Sequence, residues 1–349
     1  MHRLPEETEG TCPYTYDGLL MGCPRPDLFL GPPPRHNARP EEVIDQRASN
    51  IAILANPIAG RGRGLEVARQ TADAVRLGGQ EPRAAITEGP GHAEELARSL
   101  VGEHDRIVVV GGDGTLREAA QGLGTRVDEV DLGFIPLGNA NVVARELGIP
   151  LHVKGAIQVA MTGRITELDT LLVNGAFGLA MVGFGLDARI TRLVHGSRGR
   201  WPLSTWYRVH GDSLYGIIGA LALLQRSPRL RLEVDGVEGE CSYAAALVSN
   251  LQTYAKGWAI TPDADPSDGL LDWVGRSSAR VDQEVRALMA AKNRRRLPAR
   301  CADYGRGKAV KVVGEGPLHW QLDGDPMPPT KEVLVEVGPR LRILSPAGD

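Results

Sequence analysis

Arg106-Ile107-Val108-Val109-Val110-Gly111-Gly112-Asp113-Gly114-Thr115-Leu116 is the stretch on which the reading of this chain turns. Ile107 to Val110 are all β-branched, the pattern of a strand buried on both faces. The glycines allow a tight turn at its end. Thr115, with Glu118 three residues on, matches T-x-x-E and predicts a capping box with Thr115 at the N-cap of a new helix. Strand, glycine turn and helix N-terminus together make an anion site, because unpaired N–H groups and the helix dipole point the same way. Asp113 stands inside that site. An acid beside a phosphate is costly unless a cation bridges the two, so magnesium and a nucleotide are the natural ligands.

On either side of this stretch, strands and helices alternate. Ile51–Ala55, Arg83–Thr87, Ile107–Val110 and Leu132–Pro136 read as strands. Leu65–Leu77, His92–Val101, Leu116–Gly122 and Val142–Leu147 read as helices, the last closed by Gly148. Such alternation predicts a doubly wound α/β sheet, with ligands at the carboxyl ends of the strands. Four of those ends carry small polar loops: Asn56 to Gly64, Thr87 to Ala93, Gly111 to Thr115, and Gly138 to Asn141, where Asn141 is the expected N-cap. Any one glycine turn is weak evidence of a ligand, but four on one rim are much stronger. There is no G-x-x-x-x-G-K-[ST], and G-R-G-R-G is not G-x-G-x-x-G, so neither common nucleotide motif applies.

After about residue 165 the texture changes to short apolar runs punctuated by Gly and Asn, which predicts a β-sandwich domain with helical insertions near Trp206–Gln225 and Asp282–Lys292. Residues 1–48, rich in Pro and charge, read as a disordered tail. The expected organisation is therefore tail 1–48, α/β nucleotide-binding domain 49–165 and β-rich lipid-substrate domain 166–337, with a final strand near 338–349 that can return to the first sheet.

Bulk numbers bound the function. The chain has 349 residues, 42% hydrophobic and 24% charged, with net charge −3. That is a globular composition with no general affinity for nucleic acid. The four cysteines form no C-x-x-C pair and no zinc pattern; reduced thiols are expected, with disulfides left open. The longest uncharged apolar segment, Leu214–Leu224, has 11 residues, whereas a membrane span needs about 20. The N-terminus has no apolar core of a signal peptide. A soluble or peripheral cytoplasmic protein is expected.

Gly-Gly-Asp-Gly-Thr after a strand, an upstream Asn56-Pro57-x-x-Gly60 and a downstream Pro136-Leu137-Gly138-x-Ala140-Asn141 together resemble the diacylglycerol kinase catalytic-domain family, which includes bacterial diacylglycerol kinases and sphingosine kinases. The likeness covers roughly residues 50–345. It implies an α/β nucleotide domain, a β-sandwich domain and an active site in the cleft between them, with ATP and Mg2+ used to phosphorylate a lipid alcohol. Diacylglycerol is the default acceptor; a sphingoid or ceramide-type acceptor, or a nucleotide-binding regulatory protein without catalysis, are the alternatives. The lipid would be met at a membrane surface, peripherally at the inner face. A homodimer is left open.

The resemblance also implies roles for individual residues. Asn56, Pro57, Gly60, Thr87, Gly138, Asn139 and Asn141 would line the nucleotide site, and Gly111, Gly112, Asp113, Gly114 and Thr115 would hold the triphosphate, with Asp113 on the magnesium–water network. Gly183 to Ala188 matches the family's G-x-G-x-D-A. Pro262 to Asp272 is similar to a stretch that holds a structural magnesium in bacterial relatives, with Asp268 supplying a carboxylate and Asp265 and Leu270 backbone oxygens. Leu322-Asp323-Gly324-Asp325 is similar to a D-G-E whose last acid is the general base; Asp325 is the expected base and Asp323 a catalytic neighbour. Three positions depart from the pattern: Arg117 stands where relatives usually have Asn, Asn139 where they have Thr or Ser, and Asp325 where they have Glu. Read without the family, Asp323-Gly324 is a hairpin turn.

Two features bear on the membrane. Arg198, Arg200, Trp201, Trp206, Tyr207 and Arg208 make a basic–aromatic cluster. Asn293 to Arg300 adds four arginines that anionic lipid would attract. His92, at the start of a helix, is expected to be structural.

Overall fold

The computed structural model describes residues 15–16, 19–20, 50–198, 228–254, 257–277 and 281–347. The helix expected near Trp206–Gln225, the basic–aromatic cluster apart from Arg198 and nearly all of the tail lie outside them.

The first sheet grows from the β-branched strand. Strands β1 (Ile51–Ala55), β2 (Arg83–Ile86), β3 (Arg106–Gly111) and β4 (Asp131–Pro136) are parallel in the order β2-β1-β3-β4. Every residue of β1, β3 and β4 is buried, as continuous apolar runs covered on both faces require. Helices α1 (Gly64–Leu77), α2 (His92–Leu100) and α3 (Asp113–Leu123) connect them. A short α4 (Val142–Glu146) and α5 (Val153–Thr162) follow β4. Helix α5 carries none of the usual start signals. Its N-cap is His152, whose Nδ1 accepts the Gly155 N–H at 3.1 Å.

Helices α2 and α3 pack so closely at Gly122 that a Cβ there would lie 2.1 Å from the carbonyl oxygen of Glu94. Gly133 plays the same part beneath α5, where a Cβ would come within 2.9 Å of the Ala160 methyl.

Chain order reverses between β1 and β3, which leave the sheet in opposite directions toward β2 and β4. A crevice opens at such a switch point, outside the carboxyl ends of the strands.

The β-rich half is two sheets face to face. One continues the first sheet: β8 (Leu230–Val234), β9 (Val237–Tyr243), β13 (Ala309–Leu318) and the 16-residue β16 (Thr330–Ser345), with β5 (Arg164–Val173) and β6 (Ala176–Gly178) on a branch. The other has the order β12-β11-β10-β7-β14-β15, comprising Asp303–Gly307, Leu271–Arg276, Ala245–Ser249, Met181–Gly185, Trp320–Leu322 and Asp325–Pro326. Val182, Phe184, Val248, Val312, Leu322 and Val335 lie in the apolar layer between them. Helix α6 (Leu186–Arg198) follows β7, and α7 (Val281–Lys292) precedes β12.

Strand β16 joins the halves. It pairs antiparallel with β13 and β5, then parallel with β4 through Arg342↔Asp131 and Ile343↔Leu132. The Arg342 Nε donates to Asp131 at 2.9 Å, fixing that junction by charge as well as by the ladder. Cys301 is a buried free thiol, whereas Cys241 is disulfide-bonded, so reduced thiols hold for one and not the other. No helix among the described residues is long and apolar enough to cross a membrane.

Adding a methyl at Gly122 must push α2 from α3. Gly122→Ala is expected to destabilise by about 1–3 kcal/mol, read as a lower urea midpoint with unchanged slope. An unchanged midpoint would show that the helices are not in contact there.

Candidate active site

The four strand-end loops converge. Each is an extension of the parallel ladder: Asn56 N–H bonds Val110 O at 3.0 Å, Thr87 N–H bonds Ala55 O at 2.9 Å, and Leu137 N–H bonds Gly111 O at 2.7 Å. Side chains and backbone then tie loop to loop. Asn56 accepts the Ile58 N–H through Oδ1 and points Nδ2 at Thr115 Oγ1, 3.4 Å away. Gly60 N–H donates to Leu137 O at 3.1 Å. Gly112 and Gly138 meet so closely that a Cβ on Gly138 would stand 2.9 Å from the Gly112 Cα.

The result is a groove of about 870 Å³ at the switch point. Of the expected nucleotide residues, Asn56, Pro57, Gly60, Thr87, Gly112, Gly114, Thr115, Gly138 and Asn139 line it. Gly111, Asp113 and Asn141 are not on its wall. Gly111 ends β3 against Thr115, with no room for a side chain. Asn141 adopts a left-handed backbone (φ 48°) and donates from Nδ2 to Gly138 O at 2.8 Å.

Two capping expectations change. Helix α3 starts at Asp113 with Gly112 at the N-cap, three residues before the expected N-cap Thr115, and no side chain caps it. The glycine pair lets the chain pass directly from strand to helix, so Thr115 falls inside the first turn and Glu118 joins the groove wall. At α4, Asn141 occupies the N-cap position as expected but does not cap. Asp113 does so instead, its Oδ1 accepting the Val143 N–H at 3.3 Å. Burial pushes the Asp113 carboxyl up from the usual range, and the amides of Val142, Val143 and Asn141 pull it back.

An uncapped α3 N-terminus opens into the groove through Gly112 and Gly114, the geometry that favours phosphate. Arg61 and Arg63 also line it. They were legible only as a G-R-G-R-G run, whose signal is two cations in a loop at a strand end. His92 is structural: its Nδ1 accepts the Glu88 N–H at 2.9 Å, closing the second loop.

The second domain contributes a hairpin. Leu322 pairs with Asp325 across a two-residue turn, Asp323-Gly324, both at positive φ (50° and 89°). That geometry is the type I′ turn which Asp-Gly favours, so the turn reading and the site reading describe the same residues. The two acids then separate. The Asp323 side chain is buried and accepts the N–H groups of Leu179, Ala180 and Met181 at 2.8, 2.8 and 3.0 Å. Burial pushes its carboxyl up while those amides and the Arg117 charge pull it down. Its oxygens bolt the hairpin to the start of β7. Asp325 is half-exposed, with Oδ2 2.7 Å from an Arg117 terminal nitrogen. Asp187 of the G-x-G-x-D-A segment accepts from Gln321 Nε2 at 2.8 Å and from the Tyr254 hydroxyl.

The loop expected to hold a structural magnesium is crosslinked by arginine. Arg306 donates to Asp272 at 3.0 Å, to Asp268 at 3.3 Å and to the Asp263 carbonyl. Asp268 also accepts the Leu270 N–H at 3.0 Å, and Asp265 accepts from Ser267. Burial raises the Asp272 carboxyl to about 6 against the opposing pull of Arg306. Among the described residues no three His, Cys, Asp or Glu side chains gather as a metal cage. Asp265, Asp268 and Leu270 as placed do not fit a magnesium ion, because a guanidinium faces the Asp268 carboxylate that the ion would need.

Two family models match the chain: the diacylglycerol kinase catalytic domain over residues 50–173, and the YegS C-terminal NAD kinase beta sandwich-like domain over residues 180–345. The chain belongs to the diacylglycerol kinase catalytic-domain family. It is 29% identical over 308 residues to a diacylglycerol kinase of Mycobacterium tuberculosis, covering 85% of this chain and 95% of that one. A diacylglycerol kinase of Bacillus subtilis is 27% identical over 279 residues, covering 78% and 88%. The crystal structure of a diacylglycerol kinase from Bacillus anthracis superposes with a TM-score of 0.63 at 18% identity, covering 86% and 97%, and so shares the fold. Membership supports a lipid kinase of that family.

Removing Arg306 leaves two largely buried carboxylates unpaired. Arg306→Ala is expected to cost about 3 kcal/mol, seen as a lower thermal midpoint, while a chelator leaves the wild-type midpoint unmoved. A wild-type midpoint that falls with chelator and recovers with magnesium would restore the metal site.

Proposed function

We propose that the protein transfers the γ-phosphate of ATP, taken as its magnesium complex, to the hydroxyl of a lipid alcohol, with diacylglycerol as acceptor and phosphatidic acid as product. One observation carries the reading: a half-exposed carboxylate from the sandwich domain, Asp325, is paired with an arginine of the same helix whose N-terminus lines the groove. The helix that opens into the phosphate groove thus also holds the candidate proton acceptor.

The chemistry follows from that placement. A primary alcohol ionises far above neutral pH, so its proton must leave as the oxygen attacks. Asp325 accepts the proton while the new O–P bond forms. The bond from the γ-phosphorus to the bridging oxygen breaks in line, and ADP leaves with the electron pair. The α3 N-terminus, Arg61 and Arg63 hold the phosphates, and magnesium carried by the nucleotide neutralises their charge. The names of the relatives support diacylglycerol as acceptor. Use of ATP puts the reaction on the cytoplasmic side, with the protein working peripherally on a membrane surface. There Arg294 and Arg296 of the cationic stretch are already bonded to Gln252 and Asp263, which leaves Arg295 and Arg300 as its candidates for lipid contact.

Labelled ATP, magnesium and a panel of dispersed lipids test this. Label is expected in diacylglycerol and is lost with Asp113→Ala, which uncaps α4 beside the groove. Asp325→Asn should keep ATP affinity and lose about 100-fold or more in turnover. Label confined to sphingoid or ceramide lipids would reassign the acceptor. ATP binding with no transfer to any lipid would favour the regulatory alternative.

A further inference from the structure

We propose that Arg117 is the positioning residue for the proton acceptor Asp325, so that the helix that holds the phosphates also sets where the base stands. The inference rests on the kinase reading and names how this chain completes its site.

The two positions where the sequence departs most from the family motif touch each other. Arg117 is long where asparagine is usual; Asp325 is one methylene short where glutamate is usual. A long donor reaches a short acceptor at 2.7 Å across 208 residues of chain. The match is geometric as well as ionic, since a forked guanidinium constrains a carboxylate's orientation as a point charge does not.

Arg117 holds the acid from a different element than the one that anchors its hairpin. The hairpin backbone is already fixed at its root. Asp323 takes three amides of Leu179–Met181, Gln321 Oε1 accepts the Gly324 N–H at 2.6 Å, and Gln321 Nε2 reaches Asp187. Arg117 approaches from the other domain. It lies one helical turn beyond Asp113, and a further turn on, Gln121 accepts the Phe177 N–H at 2.7 Å. Residues 113, 117 and 121 form one face of α3. The first turn of α3 lines the phosphate groove through Gly114 and Thr115, while Arg117 and Gln121 meet the sandwich domain. The Arg117 Nε, 3.9 Å from Asp323, faces the same hairpin. Movement of the α3 N-terminus by a phosphate would therefore be passed to the base through a rigid turn of helix.

The test is a cycle of full-length variants: Arg117→Asn, Asp325→Glu and the pair together, with Arg117→Lys as a fourth. Turnover and KM for ATP are measured for each, and the thermal midpoint confirms folding. Arg117→Asn is expected to lower kcat about 100-fold, the cost of roughly 1 Å of misplacement, with KM for ATP unchanged. Asp325→Glu alone also loses kcat, because the longer acid is forced off its place by the arginine. The double variant recovers to within about tenfold of wild type, where independent losses would multiply. Arg117→Lys, with charge but no fork, falls between. Wild-type kcat in Arg117→Asn overturns the proposal. So does a loss confined to KM for ATP, which would make Arg117 a phosphate ligand, and so does a double variant whose losses multiply. A wild-type protein that labels no lipid is a different failure, that of the kinase reading itself, and is seen before any variant is compared.

Discussion

Helix α3 leaves strand β3 through two glycines, and both halves of the cleft are built from that departure. Gly112 lies almost in contact with Gly138, so the third and fourth loops share one wall. The helix begins without a side-chain cap and points its N-terminus into the groove. Because α3 starts at once, its next turns carry Arg117 and Gln121 to the sandwich domain. A bulkier residue at 112 or 138 would separate the loops, displace the helix and lengthen the reach of Arg117 together.

The second domain is held to the first by strand β16, which carries the parallel sheet on into the antiparallel part of the same ten-stranded sheet. This continuity explains how residues so far apart in the chain can be held side by side. The hairpin that bears Asp325 is anchored by Asp323, and the groove by loops that continue the parallel ladder. Only side chains at the interface remain to be set. Arg117 and Asp325 are the pair through which the two rigid parts meet.

Much of this was legible in the sequence because it is local. Continuous β-branched runs declare buried parallel strands, and glycine-rich loops at their ends declare the rim. Elements without such chemistry were missed: α5, with a histidine cap, and β12, whose Asp-Tyr-Gly-Arg-Gly carries no alternation. Thr115 was misplaced because a capping-box pattern can be met inside a first turn when glycines start the helix earlier. Asp323 and Asp325 look equivalent in sequence. Only the turn shows that one folds back onto three amides while the other stays half-exposed against Arg117. Arg117 with Asp325, and Arg306 with Asp268 and Asp272, are long-range ion pairs that no spacing announces.

The central claim is that the four loops hold a triphosphate whose terminal phosphate faces Asp325. A crystal structure with a non-hydrolysable ATP analogue and magnesium tests it most directly. The expected density places the phosphates over Gly112 and Gly114 at the α3 N-terminus, with the γ-phosphate toward the Arg117–Asp325 pair. A nucleotide bound elsewhere, or one whose γ-phosphate turns away from that hairpin, would contradict the account.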